Sequence, residues 1–470
     1  LEGKADYVIA SPELEPQDGY DYSWMTALGD SLPPDSEWGE AAGRSMVRAY
    51  DACYASGTAP VAMTLMDMKE YRAFHEVFHQ YVDGIPAECR EELYGELGRD
   101  RLKMLAFGSR QAGSASELVD VMDFLDACQK VYPDEQALQT LKERMGKLVA
   151  EQSAAGYPVN PSGLTIYLPS GSNPYLQEDL ETYDAAGFCS AYRQLTDGYA
   201  AYLARESGVD WGDIRAHKDG AVEISISPED ISSVTGAYLA VFCPVGDQGS
   251  YYLLCTDSDV AIGVDGTLRA VPEDSYMGMK GQVLCLIETM NLEAYTEYMA
   301  PVLYNGELCT LRIGFDEEHE DGQILSVTPA GLSSEAAKQI YELKEGDRMI
   351  PLYPVECMED AEEAGEAAAE PGEALAESGE AVDGSGEAAA EPEDSASAAS
   401  DVPGCLPDSR YYTDSYYMGT EFYIEEPDDM LLETVPISGD GYLYGFMLTD
   451  VRQHIYYTDF IGMEAEDAGS

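Results

Sequence analysis

The spacing of apolar residues changes at Gly208, and no fold of a single class accommodates both patterns. Before that point, short apolar strands alternate with long amphipathic helices. Strands are predicted at 6–11, at Val61-Ala62-Met63-Thr64-Leu65-Met66-Asp67 and at Leu164-Thr165-Ile166-Tyr167-Leu168-Pro169. Helices are predicted near 38–56, 70–83, 87–98, 115–131, 134–155 and 188–206. In Glu117-Leu118-Val119-Asp120-Val121-Met122-Asp123-Phe124-Leu125 the apolar positions recur at helical spacing and leave acids on the wet face. Short strands between long helices predict a mainly parallel sheet covered on both sides. After Gly208, segments such as Val222-Glu223-Ile224-Ser225-Ile226 and Leu308-Cys309-Thr310-Leu311-Arg312-Ile313 alternate at period two. Asp265-Gly266 and Asp321-Gly322 are hairpin signals, so this half is read as an antiparallel β-sandwich-like domain. Tyr-Tyr pairs at 251–252, 411–412, 416–417 and 456–457 fit half-buried sheet faces, with an aromatic ligand platform as the alternative.

Residues 358–400 fit neither pattern. Gly365-Glu366-Ala367-Ala368-Ala369-Glu370-Pro371 returns as Gly386-Glu387-Ala388-Ala389-Ala390-Glu391-Pro392. Glu359–Asp394 holds 14 acids and no Lys or Arg, so it cannot bury a core and reads as a disordered acidic insertion. The organisation expected is therefore an α/β domain over 1–207 and a β-rich domain over 208–357. The insertion occupies 358–400, and strands over 401–470 complete the β-rich domain. The whole chain of 470 residues carries 26 Lys+Arg against 89 Asp+Glu, a formal charge of −63. Such a surface repels phosphate backbones and anionic lipid, which excludes nucleic acid as a partner and suits a secreted or cell-envelope protein. No apolar run approaches the length of a membrane span.

Chemistry-bearing motifs are few. His75-Glu76-Val77-Phe78-His79 fits the HExxH pattern, in which histidines one helical turn apart grip zinc and the Glu activates water. A third ligand is missing from the immediate sequence, with Glu91, Glu92 and Glu96 as the candidates on a following helix. A zinc metallopeptidase is therefore one alternative reading, and two surface histidines are the plainer one. None of the ten cysteines is spaced as CxxC, and most sit in apolar patterns as small buried hydrophobes. Cys243 with Cys255 or Cys285 would be the disulfide candidates in an exported protein. Cys53 lies inside a helix, where a buried thiol is expected rather than a nucleophile. Asp316-Glu317-Glu318-His319-Glu320-Asp321-Gly322 has the charge of a calcium loop without its spacing and reads as a polar hairpin tip. Nucleotide and serine-hydrolase motifs are missing from the sequence.

At Ala5-Asp6-Tyr7-Val8-Ile9-Ala10-Ser11-Pro12-Glu13-Leu14-Glu15-Pro16, followed by Gly19-Tyr20-Asp21-Tyr22, the chain resembles the clostripain family of cysteine peptidases. That family carries a strand ending in an A-S-E-x-x-E-P segment and then a G-W-D-Y-like loop. Thr64–Met68, Leu118–Asp123 and Gly163–Pro169 follow in the family's order, so the resemblance covers roughly 1–207. It implies a caspase-like α/β/α sandwich and cleavage after Arg, or Arg and Lys, by a His–Cys dyad. In the family both dyad members precede this strand. His75, His79, His217, His319 and His454 do not occupy the family's histidine position, and Cys53 does not match the nucleophile. The chain also opens without an initiator Met or a signal-like segment. The expectation is a C-terminal portion of the enzyme, inactive alone, with an α/β/α sandwich incomplete at its N-terminus.

By resemblance, the loop after the first strand lines the substrate cleft. Glu13, Glu15, Asp18, Tyr20 and Asp21 are the candidate substrate-binding residues, since carboxylates pair with guanidinium groups by charge-assisted bonds. Tyr20 stands where the family often has Trp. No catalytic residue or metal ligand is assigned within the chain, and calcium is a cofactor that the resemblance alone admits. The expected partners are peptides with basic residues. A cell-wall or surface ligand is a further expectation for the β-rich domain, which could also make the protein a non-catalytic binder.

Overall fold

The computed structural model describes residues 4–16, 19–29, 34, 37–57, 59–108, 116–157, 159–173, 176–245, 250–330, 339–341, 343–357, 411–413, 415–425, 430–437 and 441–462. The acidic insertion expected at 358–400 lies outside them.

The chain begins with β1 (Tyr7–Ala10), β2 (Glu15–Pro16), α1 (Ser23–Gly29) and α2 (Trp38–Tyr54). There follow β3 (Met63–Asp67), α3 (Met68–Asp83) and α4 (Arg90–Arg99). Next come β4 (Ala106–Phe107), β5 (Leu118–Asp120), α5 (Val121–Val131) and α6 (Glu135–Leu148). β6 (Val149–Ser153), β7 (Thr165–Tyr167), α7 (Leu176–Ala186) and α8 (Ser190–Leu203) complete this half.

β3 shows why the half folds in three layers. Its residues alternate in direction: Met63 and Leu65 pack against Val47 and Tyr50 of α2, while Met66 joins the cluster of Phe74, Phe78 and Leu141 from α3 and α6. α2 approaches so closely that a Cβ on Gly43 would lie 2.5 Å from Leu65 Cδ1. Helix starts are fixed by short acids: Asp67, Asp120 and Asp134 accept hydrogen bonds from the amides of Lys69, Met122 and Ala137.

Two expectations are corrected. The sheet order is β1-β3-β6, with both pairings antiparallel, and β4-β5-β7 is antiparallel as well. The sheets of this half are therefore not parallel. The helices predicted at 115–131 and 134–155 are each shorter, because Leu118–Asp120 and Val149–Ser153 leave the helical pattern to pair with β7 and β3. An open ladder edge outweighs local helical preference there.

The second half is antiparallel β structure. Its large sheet has 13 strands, and along the main path Tyr295–Tyr304 lies between Glu307–Phe315 and Arg348–Cys357. Tyr416–Met418 pairs with Arg348–Cys357, and Leu443–Asp450 pairs with Val234–Val245. Strands on either side of 358–410 thus share one sheet. Within it Tyr252 stacks on Tyr417 at 4.8 Å, and Tyr457 meets Phe242 edge-on. Asp265-Gly266 and Asp321-Gly322 both turn hairpins.

The halves pack directly. Gly98, near the end of α4, lies against Val451, and an added Cβ would fall 1.9 Å from its carbonyl oxygen. Arg452 covers the Tyr202 ring, and Ser207 Oγ meets Asp450 Oδ2 and His454 Nδ1. Leu105 and Phe107 share an apolar cluster with Met290, Tyr295 and Leu325.

Candidate active site

The segment after β1 is held from three sides. β2 pairs with Gln339–Ile340, a parallel pairing that ties the loop to the β half. Gly19 takes a positive φ of 69°, and its carbonyl accepts from the Tyr54 hydroxyl of α2. Tyr20 rests on Tyr50, with ring centroids 5.8 Å apart. Asp21 accepts the Ser23 amide at 2.8 Å and the Ser23 hydroxyl, so it caps α1 and its carboxyl lies below the ordinary range.

Glu13 does something else. Its side chain is fully buried, with Oε1 accepting the Tyr157 hydroxyl and Oε2 accepting the amides of Leu14 and Gly108. Arg312 Nη1 from the β half lies 3.7 Å from Oε2. The same guanidinium holds Glu297 by Nε at 3.3 Å and Nη2 at 3.0 Å, and Tyr295 donates to Glu297. Burial alone would lower the Arg312 guanidinium, but Glu297 and Glu13 more than offset it and hold it above its ordinary value. Glu13 is therefore corrected from an open substrate carboxylate to one member of a buried inter-domain ion cluster. A substrate guanidinium would have to displace Arg312 and Tyr157 to reach it.

Tyr20 and Asp21 do not converge on Glu13. Tyr20 turns to the α2 rings and Asp21 to the start of α1. Glu15 is placed by its backbone pairing with Gln339, and Asp18 lies outside the described residues.

The HExxH residues are committed elsewhere. His75 Nε2 lies 2.7 Å from the Phe188 carbonyl, and His79 Nδ1 lies 3.3 Å from Cys189 Sγ. Glu91 pairs with Arg205, and Glu96 with Lys130. Among the described residues, no group of three or more His, Cys, Asp or Glu is placed to hold a metal. Cys189 precedes α8 and receives the amides of Ala191 and Tyr192, which pull its thiol down, but burial outweighs them and holds it above its ordinary value. This His–Cys contact escaped sequence reading because its members lie on separate helices with no spacing signal.

Cys243, Cys255 and Cys285 are each a thiol, so Cys243 forms no disulfide with Cys255 or Cys285. Cys53, expected to be buried, is exposed on α2. A cavity of 620 Å³ opens beside α3, walled by Phe74, Phe78, Tyr183 and Phe188, with Glu117 and Asp179 among its polar lining. Asn173 Nδ2 donates to both of these carboxylates.

Residues 1–211 match the model of the clostripain family. Solved structures similar to the chain include an inactive zymogen C11 protease from Parabacteroides distasonis, at 20% identity and a TM-score of 0.30. The alignment covers 41% of this chain and 53% of that one, about half its length. A clostripain from Bacteroides thetaiotaomicron in complex with the peptide inhibitor BTN-VLTK-AOMK is similar at 15% identity, covering 41% and 76%, with a TM-score of 0.29. A secreted C11 cysteine protease from Bacteroides thetaiotaomicron is similar at 17% identity, covering 42% and 54%, with a TM-score of 0.27. No curated protein matches the chain.

Proposed function

We propose that this chain is the distal part of a clostripain-like cysteine endopeptidase that cleaves after Arg, and after Lys as a second choice. The observation that carries the reading is the family match over 1–211. In this reading an upstream histidine is the general base, an upstream cysteine thiolate attacks the scissile carbonyl, and backbone amides receive the oxyanion. This chain contributes the wall of the cleft. Glu15, Asp18 and Asp21 are the acids left to meet a basic side chain, and Tyr20 with Tyr50 and Tyr54 supports the loop from below. The acidic surface supports action outside the cell or at its envelope, with the β half facing substrate proteins or a surface ligand. No helix among the described residues is long and apolar enough to cross a membrane.

The test is cleavage of an Arg-containing reporter peptide by two proteins, the 470-residue chain and a longer form carrying the encoded residues that precede Leu1. Cleavage by the longer form alone supports the proposal. Cleavage by the short chain, lost in chelator and in H75A, would replace it with the zinc reading.

A further inference from the structure

We propose that the cavity beside α3, about 620 Å³, binds a small organic ammonium ion with an apolar or aryl body, held by aromatic rings and by the carboxylates Glu117 and Asp179. Its volume lies within the roughly 300–1,000 Å³ of small-molecule sites. Tyr71, Tyr167, Tyr183 and Phe188 line it, and all four are half-buried, so ring surface remains open to a ligand. The Tyr167 and Tyr183 ring centroids lie 5.0 Å apart, and Phe188 lies 6.4 Å from Tyr183. Such a wall holds an aryl body by offset and edge contacts, and its ring faces attract a cation.

The charge of the wall selects the sign of the ligand. Glu117 immediately precedes β5, and Asp179 lies in the first turn of α7. Both are half-buried residues of the wall. Asn173 Nδ2 donates to Glu117 Oε2 at 2.8 Å and to Asp179 Oδ2 at 2.7 Å, which holds the two carboxylates around one nitrogen. The Tyr167 hydroxyl and the Ser170 amide donate to Glu117 Oε1. All of these donors are neutral. Among the described residues, no Lys or Arg lines the cavity, and none forms an ion pair with either acid. The field of Arg101 reaches Glu117, but that buried guanidinium donates to the carbonyls of Ser116 and Leu168. Burial raises the Glu117 carboxyl above its ordinary value and Asp179 adds to the rise, against Asn173, the Ser170 amide and Arg101. Asp179 Oδ1 accepts no hydrogen bond among the described residues, which leaves it as an acceptor for an entering ammonium. A positive charge placed there relieves the repulsion between the two acids.

The experiment is isothermal titration of the full chain with 2-phenylethylammonium chloride and, separately, with its uncharged counterpart 2-phenylethanol, at constant ionic strength. Saturable one-to-one binding of the ammonium ion is expected at millimolar strength or tighter, with the alcohol at least tenfold weaker. D179N retains an acceptor for Asn173 but not the charge, and should weaken binding of the ammonium ion at least fivefold. A186W, at the exposed end of α7 where Ala186 lines the cavity, should block entry and carries the test if D179N fails to fold. Absence of saturation, an alcohol that binds as tightly as the ammonium ion, or a folded variant that binds as the parent does would overturn the assignment.

Discussion

Replacing Arg312 by methionine removes the charge at the centre of the inter-domain cluster while keeping most of its bulk. Glu13 and Glu297, with side chains 0% and 1% exposed, would then share a dry site without a counter-ion. Breaking a buried pair in this way costs about 3–5 kcal/mol. A loss of 1 kcal/mol lowers the melting temperature of a 150–250-residue unit by roughly 2–4 °C, so the expected fall is about 6–20 °C. The loss should also appear locally. Each 1.4 kcal/mol is about a tenfold change in an equilibrium, so amides of Ser11–Pro16 should exchange with solvent on the order of a hundredfold faster. Thermal unfolding by circular dichroism and exchange followed by mass spectrometry measure the two effects. E13Q/E297Q/R312M, which removes all three charges, should recover most of the stability. If R312M melts within about 1 kcal/mol of the parent and leaves exchange in Ser11–Pro16 unchanged, Arg312 does not hold this loop.

Three further outcomes follow from the same geometry. G98A should destabilise by about 1–3 kcal/mol, since its methyl collides with the Val451 carbonyl, whereas G146A on α6 meets nothing within 4 Å and should gain up to about 1 kcal/mol in the same denaturant titration. Burial first, and then Asp120 and Asp126, push the Asp123 carboxyl up from 3.8 to about 6, against the Leu105 amide that lowers it. The folded state then binds the extra proton, so stability falls as pH rises from about 4 to about 6, by roughly 2–3 kcal/mol; D123N should lack that fall in pH-dependent melting. Exposed Cys53 should alkylate under native conditions before Cys128, Cys255, Cys285 and Cys309, which peptide mapping should show reacting only on unfolding.

Much of the architecture was legible in residue pattern because it depends on local spacing. The apolar face of α3 and the hairpins at Asp265-Gly266 and Asp321-Gly322 each carry their signal within a few residues. β6 did not, because Val149-Ala150-Glu151-Gln152-Ser153 alternates poorly and becomes a strand by filling the free edge of β3. The same limit applies to the site. Nothing near Glu13 reveals that its partner is Arg312 on a distant strand, so an acid in a Pro- and Gly-containing loop reads as available when it is already paired. His79 and Cys189 meet across α3 and α8 for the same reason.

Covalent labelling tests the central claim most directly. The longer form of the protein, carrying the residues encoded before Leu1, is treated with BTN-VLTK-AOMK and the adduct is mapped by mass spectrometry. The account predicts one modified cysteine, upstream of Leu1, and no stoichiometric label on the isolated 470-residue chain. Label on Cys189, or on any other of the ten cysteines described by this sequence, would contradict it.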